Sequence, residues 1–245
     1  MDHPFIRLEG TEENFQMFGI DHLLVLVVIS FIILCLYILR KSIREKSALK
    51  NAMKVGMAFL LLVMEAFVQL WFWDTGSWDV TYALPLHISS ITLFLAVVVL
   101  CTRNKLLFEL LFFIGFWSAL FTLITPDLQR FAFPHVRFFH FFIAHGLILI
   151  VPLFMLWVEN MRPRANAWWK VWLILNGYAL CVFFVNIEIG SNYLYLMSKP
   201  AGTTFLDYFG SWPNYLFVLQ LFILMLFMLW SKLYPYILIP KERQD

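Results

Sequence analysis

Charge is what this sequence has least of. Only 14% of its 245 residues are Asp, Glu, Lys or Arg, against about a quarter in soluble domains. That scarcity, with 62% hydrophobic residues and a mean hydropathy of +0.78, excludes a soluble globular protein, whose core could not hide so much Phe and Leu. Cysteine is sparse too. Cys35, Cys101 and Cys181 each sit in an apolar run and their number is odd, so buried thiols and no disulfide are expected. The first nineteen residues are polar and acidic rather than basic and then apolar, so no cleavable signal peptide is expected. There is no internal repeat, no low-complexity tract and no soluble domain. Neither HxxxH nor HExxH occurs, and the two histidines of FPHVRFFHFFIAHG that enter the membrane stand five apart, a poor spacing for two ligands from one helix. No metal or other cofactor is expected, and no nucleic acid partner.

What is present is length of apolar run. A helix needs about 20 apolar residues to cross about 30 Å of hydrocarbon. Seven stretches qualify: 22–40, 55–73, 82–101, 106–125, 138–158, 171–190 and 214–232. The expected fold is all-α, a polytopic membrane protein of seven transmembrane helices forming one domain over residues 1–245. Fourteen of the eighteen Lys and Arg residues fall on one side of this arrangement; Arg7, Arg130, Arg137 and Lys199 fall on the other. The positive-inside rule then puts the N-terminus outside and the C-terminus in the cytoplasm of a cell carrying the protein in its plasma membrane.

Polar residues inside these runs gather in the outer half. Glu65 and Gln69 are four apart on helix 2 and share a face. His87, Ser89, Ser90 and Thr92 lie on helix 3, with Pro85 expected in its first turn. His140 and His145 lie on helix 5 below Arg137, and Pro152 is expected to kink that helix. Asn186 lies near the outer end of helix 6, and Asn192 follows in a long outer segment, 191–213, that has the apolar content of a lid. All six histidines, His3, His22, His87, His135, His140 and His145, lie outside or in the outer half. An ionisable group facing lipid is costly, so these side chains should turn inward and meet. His140 and His145 differ by about 140° of helix rotation, so one should face the site and the other a neighbouring helix.

The stretches FPHVRFFHFFIAHG, LPLHISS at 84–90, SNYLYLMSKP at 191–200 and LDYFGSWPNY resemble the bacterial YwaF family of integral membrane proteins, itself similar to the animal transmembrane protein 164 family. The likeness spans essentially the whole chain. It implies acyl transfer between membrane lipids, with a cysteine and a histidine as the catalytic pair. His145 matches the helix 5 histidine, with His140 the other possibility. The helix 3 segment, where relatives carry a cysteine, here reads Leu86, His87, Ile88, Ser89, Ser90.

Three readings follow. In an enzyme, His145 is the general base, Ser89 or Ser90 the nucleophile, and Glu65 or His87 orients the imidazole. Gln69 or Asn186 donates to the oxyanion, and His140, Arg137 and Asn192 bind substrate. The partners would be membrane lipids, with a phospholipid or acyl chain as substrate. A proton-coupled carrier would use Glu65 and the histidines, but no polar path continues to the inner half. The third reading is a receptor, scaffold or other non-catalytic membrane binding protein; a purely structural protein would need no such cluster of ionisable groups.

Overall fold

The computed structural model describes residues 5–6, 10–11, 14–200 and 205–239. His3, Arg7, Lys241 and Arg243, which enter the counts above, lie outside the described residues. Among the described residues every regular element is helical. In chain order they are α1 (Ile20–Glu45), α2 (Ser47–Asp74), α3 (Ile88–Thr102), α4 (Lys105–Ile124), α5 (Val136–Trp157), α6 (Ala167–Ile189) and α7 (Asn214–Leu238), with short 3₁₀ turns at Tyr193–Tyr195 and Phe205–Phe209. Six are long and apolar enough to cross a membrane; α3 is the exception. The helices group into two compact units, Met1–Met161 with α1–α5 and Arg162–Asp245 with α6 and α7.

Helix 3 corrects the expected boundary. It was expected from 82 and starts at Ile88. At about 1.5 Å per residue its 15 residues span about 22 Å. The chain before it is tied into turns instead. Thr81 donates its N–H (2.8 Å) and hydroxyl (2.5 Å) to the Asp79 carboxylate, and these bonds hold that carboxyl below its ordinary range. Ala83 N–H bonds the Asp79 carbonyl at 2.8 Å. Pro85 disfavours helical geometry at Leu84 and has no N–H to give. Pro85 therefore precedes the helix, and His87 takes the N-cap position with extended backbone.

Helix α5 is the axis of the first unit: Ile148 through Glu159 are all buried, and α5 packs on α1, α2, α3 and α4. It runs on through Pro152 to Trp157. Small residues set the closest approaches. A Cβ on Gly146 would stand 3.4 Å from Ile29 of α1; one on Gly115 would stand 2.6 Å from Leu111 Cδ1, 3.4 Å from Thr92 of α3 and 3.5 Å from Ile148 of α5. Gly115 closes a π-helical turn, Leu111–Gly115, inside α4. The outward faces are apolar: Val27, Phe31, Leu34 and Ile38 of α1 are exposed, as are Phe217, Leu221 and Met225 of α7. Cys101 and Cys181 are exposed on such faces and only Cys35 is half-buried, and all three are free thiols. The expectation of buried cysteines is thereby corrected. A bundle with an apolar exterior places a thiol outside at little cost.

The two ends of the first unit differ in chemistry. At one end the buried Glu159 carboxylate takes Lys54 Nζ at 3.2 Å and Arg103 Nε at 3.1 Å, and Arg44 Nη2 donates to the Trp157 carbonyl at 2.6 Å. Cations at the C-terminus of α5 complement its dipole. The histidines occupy the other end.

Candidate functional site

The site is built from α2 and the first half of α5. Arg137 and His140 are three apart on α5 and share a face. Arg137 Nη1 donates to His140 Nδ1 at 3.2 Å. The His140 ring also hydrogen-bonds the Met64 backbone of α2 and lies 6.0 Å from the Phe67 ring. Because an arginine only donates, Nδ1 of His140 is an acceptor, which leaves Nε2–H for the Met64 carbonyl. The Arg137 guanidinium lies over Trp71 (5.4 Å) and Phe72 (5.5 Å), a favourable place for a buried cation. Its Nε is buried and has no hydrogen-bond partner. Arg137 and the buried Glu65 attract one another across the site.

His145 is held differently. Its Nδ1 lies 2.8 Å from the Phe141 carbonyl one turn back. A carbonyl only accepts, so in the neutral ring Nδ1 carries the proton and Nε2 presents a lone pair. No described residue bonds that nitrogen. The ring sits 4.4 Å from Phe141 and within electrostatic reach of both Arg137 and His140. On the helix wheel His145 stands roughly 60° from Ile148, the residue that meets Gly115 of α4, and roughly 60° from Phe142, which packs on His22 of α1, so it points away from the Met64 side of α2 and between α4 and α1. His140 is thus the histidine tied to a neighbouring helix.

The remaining expected residues have more local roles. Gln69 Nε2 donates to Glu65 Oε1 (3.1 Å) and to the Ala83 carbonyl (2.8 Å), and its Oε1 accepts Trp78 Nε1–H at 3.0 Å. It satisfies the non-helical chain ahead of α3. Ser89 and Ser90 are half-buried in the first turn of α3, where helix N–H groups lack intrahelical acceptors. Among the described residues no hydrogen bond joins either hydroxyl to an imidazole. His87 is half-buried at the N-cap, and its side chain does not cap the helix. His22 is fully buried; its Nδ1 accepts the Phe18 N–H at 3.0 Å and its Nε2 donates to the Leu123 carbonyl at 2.8 Å. His135 caps α5 by accepting the Arg137 N–H at 3.1 Å.

Asn186 and Asn192 belong to the second unit and organise the chain after α6. Buried Asn186 accepts the Tyr193 N–H (2.9 Å) and the Ser191 hydroxyl (2.6 Å) and donates to the Tyr193 carbonyl (2.9 Å). Asn192 Oδ1 accepts the N–H groups of Met197 (3.0 Å) and Ser198 (3.1 Å). Of the segment 191–213, residues 201–204 lie outside the described residues. Replacing Asn186 by Ala removes the side-chain acceptor of the buried Tyr193 N–H and one of the donors to the Tyr193 carbonyl, which also takes the Leu196 N–H at 3.4 Å. A stability loss of about 1–3 kcal/mol is expected, read as a lowered thermal midpoint in detergent; an unchanged midpoint would count against this role.

Trp71 and Glu159 escaped the sequence reading. A lone arginine entering a membrane helix needs an aromatic or acidic partner, and the adjacent Trp71 and Phe72 were a legible signal for one. Glu159, an acid among the basic residues of the loops at its own end of the first unit, was a signal for the other.

Apolar helices wrapped around a buried cluster of Arg, Glu and two imidazoles define a multi-pass membrane protein with a polar site among its helices. The chain belongs to the TMEM164 family, whose model matches residues 17–231. No curated protein and no solved structure matches it.

Proposed function

We propose that this protein is a membrane-embedded lipid acyltransferase of the TMEM164 family, from a YwaF-like bacterial branch, and that His145 is its general base. The observation that carries this is the anchored imidazole: Nδ1 fixed on the Phe141 carbonyl, Nε2 unbonded, and Arg137 nearby. Such a ring has its base nitrogen set before substrate arrives. Ser89 or Ser90 is the nucleophile. Its Oγ attacks the ester carbonyl of a lipid while its proton passes to His145 Nε2, and that proton then leaves with the departing alcohol. A second hydroxyl reverses the sequence and takes the acyl group. The N–H groups at the start of α3 suit the oxyanion, because the Gln69 and Asn186 amides are already engaged. Glu65 balances Arg137, and His140 and Arg137 meet the polar part of the substrate.

The same reading makes α3 the seventh span, completed by the non-helical residues 82–87. Irregular backbone at membrane depth is tolerated where protein satisfies it, and Gln69 satisfies Ala83. Seven crossings with the Lys54–Arg103–Glu159 end inside put the histidines and the N-terminus outside, in the plasma membrane, with phospholipids as partners.

The test is acyl exchange on labelled phospholipids by purified protein in nanodiscs, wild type beside Ser89→Ala and Ser90→Ala. One serine variant should lose transfer while remaining folded. Transfer retained in both excludes a serine nucleophile. Transfer absent from wild type, across several lipids and acyl donors, moves the reading to binding or transport.

A further inference from the structure

Among the described residues of the N-terminal segment, Phe5, Ile6, Gly10, Thr11 and Phe15 bond to or pack against the chain at the histidine end of the first unit. Thr11 N–H and Thr11 hydroxyl both donate to the Arg130 carbonyl, at 2.7 and 2.8 Å, and Thr11 Oγ1 accepts the Ala132 N–H at 3.2 Å. Phe15 N–H bonds the Gln129 carbonyl at 2.7 Å. Gly10 has φ +81°, and a Cβ there would stand 2.3 Å from the Arg130 carbonyl oxygen, so only glycine fits. The Phe5 carbonyl accepts Val136 N–H at 2.8 Å, one of the four N–H groups at the start of α5 that no helix carbonyl can reach. The Ile6 carbonyl accepts Trp71 Nε1–H at 2.9 Å. The Phe5 ring packs on Phe139, and Phe15 packs on His22, Phe138 and Phe142. The contacts continue inward: Trp71 lies under Arg137, and Arg137 bonds His140.

We infer that these anchored residues, Phe5, Ile6, Gly10, Thr11 and Phe15, act as a strap that keeps water from the His145 site and so directs the acyl group to a lipid hydroxyl rather than to water. The inference rests on the acyl-transfer reading for its chemistry. The two outcomes share one step. The acceptor O–H gives its proton to His145 Nε2, its oxygen bonds the acyl carbon, and the acyl–serine C–O bond breaks with the proton returned to Ser Oγ. A lipid hydroxyl yields a new ester; water yields a free fatty acid. Water is small, abundant and enters any open polar site, so transfer needs its exclusion. The lipid reaches the site from the bilayer and does not need the strap to move.

The test uses full-length protein in nanodiscs with a labelled phospholipid donor and a lysophospholipid acceptor. Two products are measured, new phospholipid and free fatty acid. In parallel, the rate at which diethylpyrocarbonate modifies His140 and His145 is followed by peptide mass spectrometry. Thr11→Val removes the hydroxyl bonds to Arg130 and Ala132. Gly10→Val displaces the strap outright, and Thr11→Val covers the case in which it fails to fold. With the strap loosened, the ratio of fatty acid to transfer product should rise about tenfold, the effect of roughly one hydrogen bond on a rate ratio, and modification of the two histidines should quicken. Wild-type transfer with ratio and modification unchanged in both variants overturns the strap. If wild type neither transfers nor hydrolyses, the acyl reading and the claim about acceptor choice fall together. The modification rates then decide the seal alone: faster in the variants upholds it, unchanged overturns it.

Discussion

On the proposed acyl-transfer reading, His145→Ala is expected to lower transfer by about 10²- to 10⁴-fold, the usual worth of a positioned base, while the protein still inserts and unfolds near the wild-type midpoint. The fold tolerates the loss because the His145 side chain makes a single hydrogen bond, to a carbonyl of its own helix. His140→Ala should behave in the opposite sense. That ring joins Arg137 to the Met64 backbone of α2, so its removal frees the guanidinium and unties two helices. A lowered thermal midpoint is expected, with transfer per folded molecule falling less than in His145→Ala. The comparison is made on one preparation, by transfer rate and thermal unfolding together. Equal losses of activity in the two variants, or a His145→Ala protein that transfers at the wild-type rate, would remove His145 from the base role.

The second large effect lies at the other end of α5. Glu159 has a side chain only 1% exposed and neutralises two cations from two helices. Glu159→Ala leaves Lys54 and Arg103 facing each other with no carboxylate. Breaking a fully buried pair costs about 3–5 kcal/mol. The Arg103 side chain is 54% exposed and water relieves part of that, so about 2–3 kcal/mol is expected. It appears as earlier unfolding in detergent, with transfer per folded molecule unchanged because the latch is at the far end from His145. Glu159→Gln should lose somewhat less, since its single amide oxygen still accepts from one of the two cations although its NH2 group cannot accept from the other. Thermal stability equal to wild type in Glu159→Ala would show that α2, α3 and α5 are held by packing alone.

How much of this was legible depends on the element. Six of the long helices announce themselves, because burying a backbone in lipid demands about 20 apolar residues in a row. Helix α3 did not, since the apolar run 82–101 hides a stretch whose backbone bonds are met by Asp79 and Gln69 rather than by helix. Hydropathy sees side chains and not where N–H groups go. The pairing of Glu65 with Gln69 was readable from their spacing of four. That Gln69 also serves Ala83, and that Asn186 serves Tyr193, was not readable, because both partners are carbonyls that any residue carries.

The sequence by itself determined that the chain lives in a membrane as apolar helices, that its ionisable groups gather towards one end, and that cations crowd the other, because composition and period act locally. Only the tertiary structure decided which imidazole is free. His140 and His145 are chemically alike and five residues apart. What separates them is that α2 brings its Met64 backbone to one ring, while the other finds only a carbonyl of its own helix and keeps its second nitrogen open. That difference is set by how α2 and α5 pack, through contacts between residues about 76 positions apart in the chain, Met64 and His140, which no local pattern encodes.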